Sequence, residues 1–185
     1  MEQNFNKKSS SGTRLLEISK NLTRKDILAT GSEKRLYNHP EDPKKAIRKY
    51  MNEKASSPTR LKHDFYLSKI LHMLYPKNFP DIHAVLPSHA LDVVEKIKRQ
   101  SYLSDLFLSG VFSLKTIYLA KKIGVDLDTV GRDNFILDKK FNAKYVDTPE
   151  LSKPKLLRKS IMEKLKGEER ELALKYLENY EKEWK

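Results

Sequence analysis

The sequence predicts an α+β fold in which a strand-rich first half precedes a mostly helical second half. Along the chain we expect three strands, a helix, two strands, two helices, a hairpin and two helices. Runs of strands followed by runs of helices are typical of α+β domains rather than of alternating α/β folds. At 185 residues, the chain is long enough for one domain or two small lobes with a real core.

The first strands are predicted in a segment that follows a polar N-terminus. Residues 1–14 are rich in polar side chains and predict a flexible tail, and a short amphipathic piece follows at 15–24. Residues 26–51 read DILATGSEKRLYNHPEDPKKAIRKYM, in which a glycine and two prolines separate three short strand-like segments. Because Pro40 and Pro43 would break any helix, this pattern predicts a three-stranded β-meander.

One helix and two more strands complete the predicted N-terminal part. A helix is expected over residues 57–75, where a Ser-Pro pair suited to the N-cap and N1 positions precedes apolar residues at helical spacing. Two β-rich runs at 82–87 and 91–97 flank a small turn and predict two strands. Together these elements give a five-stranded antiparallel N-lobe with one helix, which we assign to residues 15–97.

The remaining residues, 98–185, predict a reduced and mostly helical C-lobe. A helical pattern runs from 102 to 123, and a break is expected near Gly110. A hairpin is predicted at 134–147. The end of the chain is rich in Glu, Lys and Leu, and Gly167 is expected to separate two helices there.

Composition limits the classes of function. The absence of cysteine excludes disulfides, thiolate metal sites and cysteine nucleophiles. The mean hydropathy of −0.68 predicts no membrane insertion, and the polar N-terminus favours a cytoplasmic protein. A formal net charge of +12 favours attraction to nucleic acid or to an acidic protein partner. A soluble basic protein is an equally simple interpretation, because its Lys and Arg residues are scattered.

The predicted hairpin carries the most specific chemical pattern. Asn134 precedes its first strand and Asp147 follows its second, so an amide and a carboxylate lie at its two ends. Mg²⁺ prefers oxygen ligands and usually keeps several waters, which leaves room for substrate phosphates. A hairpin of this kind can therefore hold a divalent cation between Asn134 and Asp147. The alternative is an exposed hairpin in which the Asn is a cap and the Asp a turn residue.

Two further segments accompany the hairpin motif. The sequence TGSEKRLY at 30–37 contains a glycine turn, and KAIR at 45–48 forms a short strand. With NFILD at 134–138 and KYVD at 144–147, they resemble the glycine-rich loop, the V-A-I-K strand and the metal-binding segments of the protein-kinase-like superfamily. The chain is similar to short bacterial kinase-like proteins and, more distantly, to aminoglycoside phosphotransferases, over residues 26–148.

This resemblance implies that ATP and Mg²⁺ bind between the two lobes, with Asn134 and Asp147 as the metal ligands. Arg48 takes the position of the phosphate-binding lysine, and Lys49 takes it only after a shift of one residue. The residues implied to bind the nucleotide, from the glycine turn to the hinge, are Gly31, Ser32, Arg48, Lys49, Glu95 and Ile97.

The chain departs from the family pattern at the catalytic base. The family places an Asp five residues before the metal-binding Asn, and here Thr129 has that position. Asp128 lies one residue further away and becomes the candidate catalytic residue if a loop insertion brings it to the substrate. Thr148 and Pro149 follow Asp147, where the family has Phe-Gly.

The predicted helix at 57–75 also differs from the family, in which a helix Glu pairs with the strand lysine. This helix offers Asp64, one carbon shorter, and no Glu. The simpler interpretation is an exposed acid early in a helix, where it interacts favourably with the helix dipole.

Three functions stay open. The chain could be a kinase-like protein that binds nucleotide and Mg²⁺, either as a weak or atypical phosphotransferase or as a pseudokinase. It could instead be a non-catalytic basic module that binds nucleic acid or an acidic protein. The third possibility is a generic α+β domain with an accidental likeness to kinases.

Overall fold

A five-stranded antiparallel sheet occupies the first half of the chain, as the sequence predicts. The computed structural model describes residues 10–31, 33–52, 56–98, 102–129 and 134–183. The strands of this sheet are β1 (Ile27–Thr30), β2 (Lys34–Asn38), β3 (Lys45–Tyr50), β4 (Ile82–Leu86) and β5 (Leu91–Glu95). Their order across the sheet is β1-β2-β3-β5-β4, so β3 and β5 are paired at its centre.

Helices lie on both faces of this sheet. Helix α1 (Ser10–Asn21) covers one face, so residues 10–14 of the predicted tail belong to a helix. Helix α2 (Pro58–Leu74) covers the other face. Because strand side chains alternate between faces, β3 directs Ile47 to the α1 side and Ala46 to the α2 side. Arg48 therefore lies on the α2 side of the sheet, as the register predicts.

Helix α2 begins where the sequence predicts. The Ser57 hydroxyl accepts a hydrogen bond from the backbone N–H of Arg60 at 3.2 Å, and Pro58 occupies the first helical position. An N-cap of this type stabilises a helix by about 1 kcal/mol, because it pairs one of the N–H groups that lack an intrahelical acceptor. The helix ends at Leu74, just before Pro76. The expectation for this element is confirmed.

The second half is mostly helical, with short strands between the helices. Its elements are α3 (Tyr102–Lys122), β6 (Val125–Asp126), β7 (Phe135–Leu137), β8 (Ala143–Tyr145), β9 (Glu150–Leu151), α4 (Pro154–Lys164) and α5 (Gly167–Glu183). Strands β7 and β8 form the predicted hairpin, and β6 pairs with β9. Within the described parts of the chain, no helix has both the length and the apolar character needed to cross a bilayer.

Two glycine predictions have opposite outcomes. The expected break near Gly110 is wrong, because α3 continues through it. A single glycine costs a helix about 1 kcal/mol but removes no hydrogen bond, so packing of the helix can outweigh it. The expected separation of the last two helices is confirmed: α4 ends at Lys164, and Gly167 begins α5 with a positive φ of 52°.

Helix α2 is the centre of the main hydrophobic core. One side packs under the sheet, against Ala46 and Val94, and the other packs against α5 through residues such as Leu177. Phe65 makes an edge-to-face contact with Tyr176 of α5, with ring centroids 6.0 Å apart. The same core continues to the hairpin. The sheet, α2, α5 and the hairpin are therefore held around one apolar cluster, which positions the polar groups between them.

Candidate functional site

The inner face of the sheet carries a buried ion pair at its centre. Arg48 on β3 lies directly opposite Asp92 on β5 in the antiparallel register. The guanidinium binds the carboxylate with two hydrogen bonds, Nε to Oδ1 at 2.8 Å and Nη2 to Oδ2 at 2.6 Å. The Tyr50 hydroxyl donates a third, at 2.9 Å to Oδ2. The side chains of Arg48 and Asp92 are only 12% and 2% exposed.

This pair keeps Arg48 charged and oriented. Burial by itself disfavours the cation, but the Asp92 carboxylate outweighs that effect and raises the pKa of Arg48. The third guanidinium nitrogen, Nη1, donates to the backbone carbonyl of Val146 at 3.3 Å. Arg48 thus joins the sheet to the strand that leads to Asp147. The residue in the predicted phosphate-binding position is already committed to protein partners.

The hairpin brings the two predicted metal ligands into adjacent rows. The backbone N–H of Val146 donates to the carbonyl of Asn134 at 2.9 Å, which extends the pairing of Phe135 with Tyr145. Asp147 follows Val146 directly, so it lies one residue beyond the partner of Asn134. The Asn134 side chain donates from Nδ2 to the backbone carbonyl of Asp128 at 3.1 Å. The local order of the site follows from the pairing of β7 and β8.

A lysine from the sheet reaches Asp147. Lys34, the first residue of β2, places its ammonium 2.5 Å from Oδ1 of Asp147. Partial burial alone would raise the pKa of Asp147, but the nearby Lys34 charge and its hydrogen bond outweigh this effect and lower the pKa. The Asp147 carboxylate is therefore ionised at neutral pH. It faces a cation that comes from the other half of the chain.

Asp64 lies beside these pairs, and the sequence interpretation of it is wrong. It was expected to be exposed, but it is only 4% exposed because α2 is covered by the sheet and α5. Its Oδ2 accepts a hydrogen bond from the Thr148 hydroxyl at 2.9 Å. Asp64 is thus linked to the residue after Asp147. Arg48 therefore pairs with Asp92 on the neighbouring strand and not with Asp64 on the helix.

The candidate base lies at the edge of this group. Asp128 is exposed, and its backbone N–H donates to the Tyr145 hydroxyl at 3.1 Å. The same hydroxyl lies 3.3 Å from the Thr148 carbonyl, to which it donates. Asn134 binds the carbonyl of Asp128, as described above. The backbone at Asp128 is therefore held by Asn134 and Tyr145, and the role of Asp128 in catalysis stays a prediction.

The predicted phosphate turn has an ordinary geometry. The backbone N–H of Gly31 donates to the Lys34 carbonyl at 2.9 Å. A Cβ added at Gly31 would lie 3.6 Å from that carbonyl, which is normal van der Waals contact, and the residue has no positive φ. The turn itself therefore does not require glycine. Ser32 lies outside the described residues.

The other predicted nucleotide-binding residues lie in different places and have different partners. Lys49 lies on the opposite face of the sheet from Arg48 and is exposed, so the structure does not bring it to Asp147. The Glu95 carboxylate accepts two hydrogen bonds from the Lys144 ammonium, at 2.7 and 2.8 Å. The backbone N–H of Glu95 donates to the Asp81 carbonyl at 2.8 Å, and Ile97 is half-buried just after β5.

The space between the sheet and the hairpin is narrow in this conformation. A cavity of about 10 Å³ lies next to Arg48, Tyr145 and Asp147. This volume is about enough for one water molecule. A nucleotide would need the ion pairs that cross this space to rearrange. Among the described residues, polar contacts between the sheet and the hairpin include Lys34–Asp147, Glu95–Lys144 and the contact from Arg48 to the Val146 carbonyl. Beside them, Asp64 of α2 binds Thr148.

Asn134 and Asp147 carry the kind of oxygen donors that Mg²⁺ takes, while the pairing of the hairpin fixes only their backbones, in adjacent rows. In the described part of the chain, no three His, Cys, Asp or Glu side chains are grouped closely enough to hold a metal ion. Asn134 and Asp147 can supply two oxygens, and Mg²⁺ commonly uses one or two protein ligands with waters and phosphates. The Lys34 ammonium at Asp147 occupies the place of a cation. Lys34 must move if a metal binds there.

Sequence reasoning missed the partners of the predicted residues. Lys34, Asp92 and Lys144 each contact a predicted residue, and none was assigned a role. Asp92 had a usable signal: it is a charged residue inside the otherwise apolar strand LDVV, and a buried charge normally has a partner. Lys144, between Ala143 and Tyr145, had the same signal, whereas Lys34 had none because it lies among polar residues in the sequence.

Comparisons with known proteins give a distant likeness in fold. The sequence matches no protein-family model and no curated protein. Among solved structures, the chain is similar to the crystal structure of monomeric WbdD, with 19% identity, a TM-score of 0.40, and coverage of 70% of this chain and 36% of that chain. It is also similar to a medium-resolution structure of the bifunctional kinase-methyltransferase WbdD, with 16% identity, a TM-score of 0.39, and coverage of 81% and 43%. The chain spans less than half the length of either.

Replacing Asp92 tests the buried ion pair. Asp92→Asn leaves Arg48 charged in a buried site without its carboxylate, so we expect a loss of about 3–5 kcal/mol in the free energy of unfolding. Urea denaturation measures this loss. Glu181→Gln, which removes the partly exposed partner of Arg158, is the control and should cost less than about 1 kcal/mol. Equal effects of the two substitutions would contradict the importance assigned to the pair.

Asp64 predicts a specific dependence of stability on pH. Burial raises the pKa of Asp64 to about 6 from its ordinary 3.8, against the opposing effects of Thr148, Arg48, Lys34 and Arg60. Because the folded state has the higher pKa, the favourable contribution of Asp64 is complete below about pH 4 and is lost as the pH rises through 6. As the pH rises from about 4 to 7, the free energy of unfolding of Asp64→Asn should therefore increase by up to about 3 kcal/mol relative to that of wild type.

Urea denaturation of both proteins at a series of pH values measures this difference. Asp126→Asn, a change at an exposed acid on β6, is the control and should give a nearly constant difference from wild type. If the stability difference between Asp64→Asn and wild type does not change with pH, Asp64 does not carry the cost that its burial implies.

Proposed function

We propose that this chain is a kinase-like protein that binds ATP and Mg²⁺ between the sheet and the β7–β8 hairpin. The observation that carries the proposal is the position of Asp147. Its ionised carboxylate lies next to the row of Asn134 and faces a cation supplied by the strand after the Gly31 turn. An amide and a carboxylate in this arrangement are suitable oxygen donors for Mg²⁺.

In this proposal the chain mainly binds and orients the nucleotide. Asn134 and Asp147 hold the metal ion, and bound Mg²⁺ would neutralise charge on the phosphates. The Asp128 backbone is held by Asn134 and Tyr145. In this proposal the Asp128 carboxylate is the candidate proton acceptor. The Gly31 backbone lies at the turn on the opposite side of the site.

Two features favour nucleotide binding over rapid phosphoryl transfer. Arg48 is bound to Asp92, so the Arg48 guanidinium cannot move to a phosphate without leaving the buried Asp92 carboxylate unpaired. Thr129 stands at the position of the family's catalytic Asp and cannot accept a proton as a carboxylate does. Loss of a general base typically lowers the rate by about 10²–10⁴-fold. A pseudokinase or a slow phosphotransferase is therefore the expected kind of protein.

Thermal denaturation with nucleotide tests this function. In excess ATP and Mg²⁺, at about 100 times the dissociation constant, binding should stabilise the fold by about 2.7 kcal/mol. For a chain of this size that corresponds to a rise in Tm of roughly 5–10 °C. Asp147→Asn should abolish most of this rise, because it removes the charged metal ligand. The measurement is the Tm with ATP, with Mg²⁺ and with both.

Asp42→Asn is the matched control for that experiment, because Asp42 also pairs with a lysine, Lys45, at 2.9 Å, but outside the site. It should keep the full response to ATP and Mg²⁺. A wild-type Tm that does not change with ATP and Mg²⁺ together would refute the proposed function. A response that Asp147→Asn leaves intact would place the metal elsewhere.

A second candidate function is a non-catalytic basic module that binds nucleic acid. The observation that favours it is one face of α3, where Leu114 and Tyr118 are 63% and 65% exposed. Lys115, Lys121 and Lys122 are exposed beside them. An exposed aromatic ring surrounded by lysines can stack on an unpaired base while the lysines contact phosphates. This function uses a different surface from the ATP site and does not require a nucleotide.

Salt dependence tests the second candidate. A single-stranded oligonucleotide should bind with an affinity that falls steeply between about 50 and 200 mM salt, because each phosphate contact releases a counterion. The double substitution Lys121→Glu and Lys122→Glu should weaken binding by about tenfold or more and flatten the salt slope. Lys20→Glu, on α1, is the control. The absence of binding, or an affinity that does not depend on salt, would exclude nucleic acid as the ligand. Binding of an acidic protein but of no oligonucleotide would also exclude it.

A further inference from the structure

Lys34 has a position that the sequence interpretation did not use. It begins β2 directly after the Gly31 turn, and its backbone carbonyl accepts the Gly31 N–H. Its side chain crosses to the other half of the chain and reaches Asp147 at 2.5 Å. The ammonium also lies 5.7 Å from the centre of the Tyr50 ring. Lys34 therefore connects the predicted phosphate turn with the predicted metal ligand.

Arg48 and Lys34 differ in how firmly their charges are held. Arg48 makes two hydrogen bonds to Asp92 and one to the Val146 carbonyl. Moving it would leave the Asp92 carboxylate, which is 2% exposed, without its cation. Lys34 binds one carboxylate, that of Asp147, and the two side chains are 17% and 28% exposed. A lysine on a flexible stem in such a site can exchange partners at much lower cost.

Metal binding would force that exchange. A divalent cation bound to Asp147 and the Lys34 ammonium have the same sign of charge and need the same carboxylate. Lys34 would therefore leave Asp147 when a metal binds. The phosphates of a nucleotide would enter together with the metal, and they carry negative charge close to the Gly31 turn. Lys34 would then have a new anionic partner within reach of its stem.

We infer that Lys34, rather than Arg48, is the cation that contacts the nucleotide phosphates, and that it moves from Asp147 to a phosphate when ATP and Mg²⁺ bind. This inference rests on the proposed function. In this assignment Arg48 is a positioning residue. It holds the Val146 backbone, and through it the place of Asp147, while Asp92 keeps its guanidinium in the sheet.

The inference predicts that Lys34→Met changes the affinity for ATP with Mg²⁺ and the affinity for a divalent ion alone in opposite directions. Affinity for ATP with Mg²⁺ should fall by about tenfold or more, because a charged contact to phosphate is lost. Affinity for a divalent ion alone should rise severalfold, because the competing ammonium no longer occupies Asp147. Titration calorimetry measures the first quantity. Electron paramagnetic resonance of free Mn²⁺ measures the second without nucleotide or catalysis.

Lys62→Met is the matched control. Lys62 pairs with Glu183 at 2.7 Å, with side chains 29% and 31% exposed, and joins α2 to α5 away from the site. It should leave both affinities within about twofold of wild type. Circular dichroism shows whether each variant folds, and Lys34→Gln, with a polar side chain, replaces Lys34→Met if the latter does not.

Each outcome decides the assignment. Opposite changes in the two affinities, with an unaffected control, support the role of Lys34. A parallel loss of both affinities in a folded variant would show that Lys34 is only structural. Unchanged ATP affinity in the Lys34 variant overturns this inference alone. Wild-type protein that binds Mn²⁺ but no ATP overturns the proposed function and this inference together.

Discussion

The ion pair between Arg48 and Asp92 is the constraint on which the candidate site depends. It lies at the centre of the sheet, on strands β3 and β5, and both side chains are largely buried. Two buried charges are tolerated only when their hydrogen bonds are satisfied, and here Tyr50 and the Val146 carbonyl complete them. The contact to Val146 also fixes the hairpin against the sheet. The position of Asp147 therefore depends on the Arg48–Asp92 pair as well as on the pairing of β7 with β8.

The join between the sheet and the second half of the chain has two different parts. Around α2 it is a continuous apolar core, which resists change because close-packed side chains have few alternative arrangements. Nearer the hairpin it consists of polar contacts: Lys34–Asp147, with side chains 17% and 28% exposed, and Glu95–Lys144, in which Glu95 is partly exposed and Lys144 is buried. Breaking the buried Lys144 from its carboxylate costs more than breaking the more exposed Lys34–Asp147 pair, so Lys34–Asp147 is the contact of the two that can be exchanged more readily.

Much of the fold followed from the sequence, while little of the site did. Periodicity and the cap at Ser57 are local signals, and they located α2, the five strands and the hairpin. The helix break predicted near Gly110 was wrong, because packing outweighs a weak propensity. The face on which Arg48 lies also followed from strand alternation. Its partner Asp92 did not, because cross-strand pairs depend on a register between strands distant in sequence. Lys34 and Asp147, separated by 113 positions, meet only in the folded chain.

If the proposed site binds metal and nucleotide, the charges around the hairpin would favour joint binding of the two over binding of either alone. The charge of Arg48 balances that of Asp92, and the charge of Lys34 balances that of Asp147. The remaining acid is Asp64, and its burial raises its pKa to about 6. A divalent ion at Asp147 would displace the Lys34 ammonium from its carboxylate partner. Phosphates would restore the balance, because they supply negative charge to both the metal and Lys34. A phosphate without the metal would instead lie close to the Asp147 carboxylate and be repelled.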